Sequence, residues 1–187
     1  MVTQDWTSTG TYEIELHKHR FAAWAASRAA SVSPSRFKVE AGRAILEHCG
    51  FTANLARPGQ LPEPSAVDEE HRRWRSEVVD CAKSRGLTFT HGVAAKLINI
   101  YLKSRFVCGG FHADERVRNL HPPIDRVLLD TLAKQDIAGE RAEWRKAASA
   151  GWSKFGSGEY ENVIRLIRIS MAGEALWMVE EHWRGNQ

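Results

Sequence analysis

Apolar residues return at helical spacing along most of this chain and alternate almost nowhere. Over residues 12–31, Leu16, Phe21, Trp24, Ala25 and Ala29 recur at roughly one-turn intervals. The run Phe21-Ala22-Ala23-Trp24-Ala25-Ala26 favours helix and lets a neighbouring element approach closely. Ser33-Pro34-Ser35 interrupts the pattern, and Ser35 is expected to cap a second helix that ends near Cys49, with Gly50 as its stop. Residues 51–66 carry Pro58, Gly59, Pro62 and Pro64 and read as a surface loop, because the roughly fifty residues before them are marginal for a domain of their own. Asp68 then opens an amphipathic helix over residues 69–85, with Trp74, Val78 and Cys81 at spacings of four and three and Gly86 closing it.

Thr90 is placed to cap the most apolar helix, residues 91–108, which carries Val93, Ala94, Ala95, Leu97, Ile98, Ile100, Tyr101, Leu102, Phe106 and Val107. A helix apolar on nearly all sides is normally buried, so this one is expected at the centre. Gly109-Gly110 ends it and a polar loop runs to Leu120; Pro122 and Pro123 suit the first turn of a helix over residues 124–134. A shorter segment over 142–150, a turn at Gly156-Ser157-Gly158 and a long final helix over 160–184 complete the chain. Leu87-Thr88-Phe89-Thr90 alternates but is too short to count as a strand, and no fixed-period repeat appears. The expectation is an all-α protein: a single-domain orthogonal array of six or seven helices around a buried central helix.

Composition changes little in that picture. With 43% hydrophobic and 26% charged residues the chain can bury a core, and 26 basic against 23 acidic side chains leave a net charge of +3. That balance permits nucleic-acid binding without arguing for it. Cys49, Cys81 and Cys108 form no CxxC pair, so neither a disulfide framework nor a zinc knuckle is encoded, and free thiols suit a reducing cytoplasm. The N-terminal residues show no secretory signal, and no run of about 18 apolar residues exists to span a membrane. A phosphate loop, a GxGxxG turn, an HExxH pair and a GxSxG elbow are all missing.

One constellation carries chemistry. The polar residues of the central helix, Lys96, Asn99 and Lys103, fall on one stripe at spacings of three and four. Such a stripe ordinarily faces water, its lysine stems lying along the surface. Set instead in the wall of a cleft, Lys96 would be pushed toward its neutral, nucleophilic form by desolvation and by the positive helix N-terminus. Asp125 stands in His121-Pro122-Pro123-Ile124-Asp125-Arg126, where an acid suits the helix dipole in any event and could also stabilise a developing positive charge.

Gly92-Val93-Ala94-Ala95-Lys96-Leu97-Ile98-Asn99, followed by an apolar helix, a loop and Pro122-Pro123-Ile124-Asp125, resembles the helix–hairpin–helix DNA glycosylases, most closely the 8-oxoguanine branch and its compact archaeal form. The resemblance covers about residues 90–130. It implies Lys96 as the nucleophile at the sugar C1′ and Asp125 as its assistant, with no metal and no cofactor. It also implies DNA as partner, with Gly92, Asn99, Lys103, His121, Arg126, Trp24 and Trp152 as candidate DNA or base contacts. Ala94 stands where the family has its second hairpin glycine and His91 where proline is usual. Trp74, Trp144 and Trp177 are further aromatic candidates, and Lys18, Arg20, Arg28, Arg36, Lys38, Arg43, Arg105, Arg116, Arg165 and Arg168 further phosphate contacts. The alternatives are a non-catalytic helical module that binds nucleic acid or protein, and a homodimer built on an exposed tryptophan-rich face.

Overall fold

A computed structural model describes residues 12–185, and these residues are all-α. In chain order the helices are α1 Ile14–Ala30, α2 Val39–His48, α3 Val67–Ser84, α4 His91–Leu102, α5 Glu115–Arg118, α6 Arg126–Gln135, α7 Arg141–Ala150 and α8 Ser157–Met171. The fifth is a single turn, which leaves seven longer ones. No strand occurs among the described residues.

The apolar helix is central, as its composition requires. Every residue of α4 except His91 and Ile100 is buried. Thr90 caps it, its Oγ1 accepting from the Val93 amide at 3.1 Å. One side of α4 packs Val93, Ala94, Leu97 and Ile98 into a core with the alanines of α1 (Ala22, Ala23, Ala26, Ala30), Ile45 and Leu46 of α2, and Val78 and Ala82 of α3. Small side chains on α1 are what allow the two helix axes to come close. Ala95 instead joins a second core with Leu128, Leu129 and Leu132 of α6, Trp144 of α7 and Val163, Ile164 and Ile167 of α8. A polar residue between these two faces of α4 therefore opens into the crevice between two helical layers, and Lys96 occupies that position.

The final helix begins at Ser157, absorbing most of the expected turn, and four further boundaries differ from the sequence expectation, each for a local reason. Ser35 does not cap α2, whose N-cap is Lys38; its hydroxyl donates to the Thr88 carbonyl at 2.6 Å, tying this loop to the one before α4. The central helix does not stay α-helical to Cys108. It widens into a π-wound stretch over Lys103–Phe111 and kinks at Gly110, where φ is +93°. Pro122 and Pro123 lie ahead of the next helix rather than in its first turn, and the N-cap is Asp125. A residue before proline avoids the α region, so His121 and Pro122 hold the chain extended. Lastly, the final helix stops at Met171. Ala172 and Gly173 take positive φ (+49° and +95°), and the chain resumes as a 3-10 segment over Leu176–His182. That break returns the C-terminal segment to the mouth of the crevice.

Candidate active site

The site is built on two helix starts and the returning C-terminal segment. Lys96 sits in the second turn of α4 with a relative exposure of 6%. Its Nζ lies 3.3 Å from Oδ2 of Asp125 and 5.5 Å from the centroid of the Trp152 ring. Asp125 is fixed twice over: Oδ1 accepts from the Leu128 amide at 2.9 Å, the N-cap bond of α6, and Oδ2 accepts from the Trp183 indole N–H at 2.9 Å. The chain can fold back over that indole because residue 185 is glycine; a Cβ there would stand 2.2 Å from the ring. Lys103, two turns beyond Lys96, pairs with Glu180 of the C-terminal segment.

These groups surround a pocket of about 370 Å³, with Ala29, Ile100 and Pro123 completing the wall. That is toward the small end of the ~300–1,000 Å³ typical of small-ligand sites. Burial pushes the Lys96 ammonium below its ordinary pKa, and Asp125 resists that shift. Burial raises the Glu180 carboxyl against the pull of Lys103. The arrangement is a desolvated amine beside a carboxylate that can accept its proton, walled by two indoles. Among the described residues no group of three or more His, Cys, Asp and Glu side chains could hold a metal ion.

Behind the site lies a buried polar network. Asn99 is 1% exposed, and its amide donates to the Pro122 carbonyl at 2.8 Å and to the Tyr160 hydroxyl at 2.9 Å. Its carbonyl oxygen accepts from His71 Nε2 at 2.7 Å. With its oxygen already accepting from Asn99, the Tyr160 hydroxyl donates to His121 Nδ1 at 3.1 Å, so the His121 proton is on Nε2, which donates to Asp68 at 2.7 Å. Arg168 holds the same Asp68 oxygen at 2.7 Å. Arg75, 1% exposed, stacks on the Tyr160 ring at 4.3 Å and reaches Glu161 at 2.8 Å. Burial pushes both histidines below their ordinary pKa, His71 strongly.

Of the residues singled out from sequence, the structure brings Lys96, Asp125, Lys103 and Trp152 to one pocket. Asn99, one turn along the same stripe, lies behind the pocket rather than in its wall, and holds the Pro122-Pro123 strap ahead of Asp125. His121 is buried in the same network. Arg126 points outward, its side chain 82% exposed and 3.4 Å from Asp130. Trp24 stands on the outer face of α1, 51% exposed, and is not part of the pocket wall. Gly92 is turned inward: its amide donates to the Phe155 carbonyl at 3.0 Å, and a Cβ at this position would sit 1.8 Å from the Trp152 carbonyl oxygen. Arg105, 3% exposed, is spent on Glu15 and on the carbonyl of Leu55. Trp144 is fully buried in the second core, and Trp177 donates toward the His112 carbonyl at 3.4 Å. Sequence reasoning missed Glu180 and Trp183, since their place depends on the break after α8; Gly173 was the one local sign of it.

No protein-family model, curated protein or solved structure matches the chain. No helix among the described residues is long and apolar enough to cross a membrane.

Proposed function

We propose that this protein is a lysine-dependent DNA base-excision glycosylase, with or without associated strand cleavage, acting on a damaged base. One observation carries the reading: Lys96 and Asp125, 29 residues apart in sequence, meet at 3.3 Å in a pocket between two helical layers that disfavours the charged amine. Asp125 takes the Lys96 proton, and the freed amine attacks C1′ of the deoxyribose as the bond to the base breaks and the base leaves with the electron pair. The protonated Asp125 gives its proton to the departing base, the C1′-bound nitrogen passes one of its own protons to the ring oxygen as the C1′–O4′ bond breaks, and a Schiff base forms with the sugar ring open. Loss of a C2′ proton from that Schiff base expels the 3′ phosphate, which is the strand-cleavage step. A base removed from the stack needs a flat, water-poor enclosure, and Trp152 and Trp183 stand on the pocket wall.

A second reading, a non-catalytic module that binds nucleic acid or protein, is favoured by the Gly92 amide. Its donation to Phe155 leaves it unavailable for a DNA phosphate, so the turn that grips DNA in the resembling family is closed on its own chain here. On that reading the Lys96–Asp125 pair anchors the C-terminal segment.

Duplexes carrying 8-oxoguanine, uracil, hypoxanthine or an abasic site, treated with the protein and borohydride, separate the two. The glycosylase reading expects a covalent protein–DNA band on a damaged-base substrate that is absent from the Lys96→Ala variant. No band on any substrate from the folded parent protein overturns it.

A further inference from the structure

We propose that the outer face of α1, together with the groove beside its C-terminal end, binds a single nucleic-acid strand. Phe21, Trp24 and Arg28 fall on one stripe of α1 at spacings of three and four. Phe21 is 57% and Trp24 51% exposed, with ring centroids 5.9 Å apart. Two large aromatic side chains left half in water beside each other form a platform without a partner among the described residues. The groove alongside, about 600 Å³, is lined by Ser27, Arg28, Ser31, Arg36, Lys38 and Glu40 among others, three cations against one carboxylate. Arg28, Arg36 and Lys38 make no ion pair among the described residues, whereas Arg73, Arg75, Arg105, Arg116, Arg118 and Arg168 all do.

Flat exposed rings interleaved with unpaired cations match the chemistry of a polynucleotide strand, whose bases stack and whose phosphates need positive charge. A second copy of the chain fits less well, because a dimer through this face would set Arg28, Arg36 and Lys38 near their own images. Duplex DNA keeps its bases stacked on each other and could use only the cations. Position adds a further reason: Ala29, next after Arg28, is part of the Lys96 pocket wall. A strand lying on α1 would pass that pocket's mouth. The continuity with the pocket rests on the glycosylase reading; the binding itself does not.

The test is fluorescence anisotropy with a labelled oligothymidylate of about twenty nucleotides, and with a duplex of equal length, at roughly 50 and 200 mM salt. The parent protein is expected to bind the single strand in the micromolar range with quenching of tryptophan fluorescence. The Phe21→Ala/Trp24→Ala variant is expected to lose about tenfold or more on the single strand and less on the duplex. The Arg28→Glu/Arg36→Glu/Lys38→Glu variant is expected to flatten the salt dependence on both. Absence of single-strand binding by the parent, parent-like binding by both variants, or a Trp24-dependent dimer in gel filtration would each overturn the proposal. Covalent trapping and strand binding are separate readouts, so trapping by the Phe21→Ala/Trp24→Ala variant and strand binding by the parent are judged independently.

Discussion

Trp183 donates its indole N–H to the same Asp125 oxygen that faces the Lys96 ammonium, at 2.9 Å against 3.3 Å. The indole thus competes with the lysine for one carboxylate, and it does so from the last described turn of the chain, on a ring 37% exposed. Because the indole already satisfies Oδ2, Asp125 holds the Lys96 proton less tightly than an unshared carboxylate would.

Trp183→Phe keeps an aromatic wall and removes the donor. Asp125 then has only Lys96 on Oδ2, so the Lys96 pKa is expected to rise from its depressed value toward the ordinary lysine range. Following the ε-carbon resonance of Lys96 against pH in selectively labelled protein measures this directly, without reference to any reaction. A Lys96 pKa that stays put or falls in the variant contradicts the competition. The stability cost of the lost hydrogen bond should be about 1 kcal/mol.

Asn99 is the joint between the pocket and the network behind it. Asn99→Leu has nearly the right shape but leaves the Pro122 carbonyl, the His71 Nε2–H and one side of the Tyr160 hydroxyl without the partners they have now. Each stranded buried group costs on the order of 1–3 kcal/mol, so a loss of about 3 kcal/mol or more is expected. For a chain of this size that is a Tm drop of roughly 6–12 °C. Since the Pro122 carbonyl lies three residues before Asp125, the variant should also loosen the strap, seen as faster amide exchange at Leu128. A drop of only a few tenths of a kcal/mol would mean that water replaces the amide.

Legibility from sequence follows how local each cause is. Thr90 can be recognised as a cap because a cap bond closes within three residues, and α4 as central because its apolar residues leave it no wet face. Lys96 and Asp125 stand out by motif, yet their meeting depends on the stretch from Pro122 to Asp125 lying against α4, which periodicity does not encode. Asp125 reads as a first-turn residue and is instead the cap, because the two prolines before it keep the chain extended. Asn99 shares a stripe with Lys96 and Lys103 on an ideal wheel; with layers packed on both sides of α4, that stripe divides between pocket and core. Glu180 and Trp183 are invisible, since two residues of positive φ redirect a segment that reads as continuous helix.

The histidine network sets an acid limit on stability. His71 faces Asn99, His121, Arg75 and Asp68, and His121 faces Asp68, Arg168, Tyr160 and Arg75. Burial lowers both pKa values below 6.5, so near pH 6.5 and below the unfolded chain binds protons that the folded chain refuses. Stability is therefore full above about pH 6.5 and falls as the pH drops through the unfolded value toward the lowered folded ones. Asp68, held well below the ordinary carboxylate range chiefly by its bond to His121 and also by Arg168, stays ionised through this interval. Urea midpoints measured from about pH 8 to about pH 5 should decline, and His71→Phe should flatten the decline. A flat profile in the parent protein would show that the imidazoles gain their protons without cost.

Gly92 and Gly158 make opposite predictions for one substitution. A methyl group on Gly92 would lie 1.8 Å from the Trp152 carbonyl oxygen and 3.0 Å from its carbon. Those are backbone atoms, and the Gly92 amide is bonded to Phe155 three residues further on, so relief requires moving α4 away from the Trp152–Lys154 turn. Gly92→Ala should cost about 3 kcal/mol or more, at or above the usual range for overpacking. It should also displace Trp152 from the pocket, which near-ultraviolet circular dichroism would report. Gly158, in the first turn of α8, has no positive φ, and a methyl group placed there would meet nothing within 4 Å. Gly158→Ala should gain up to about 1 kcal/mol from helix propensity and reduced freedom of the unfolded chain. Equal effects of the two changes would mean that the approach of Trp152 to α4 is not what glycine is needed for at position 92.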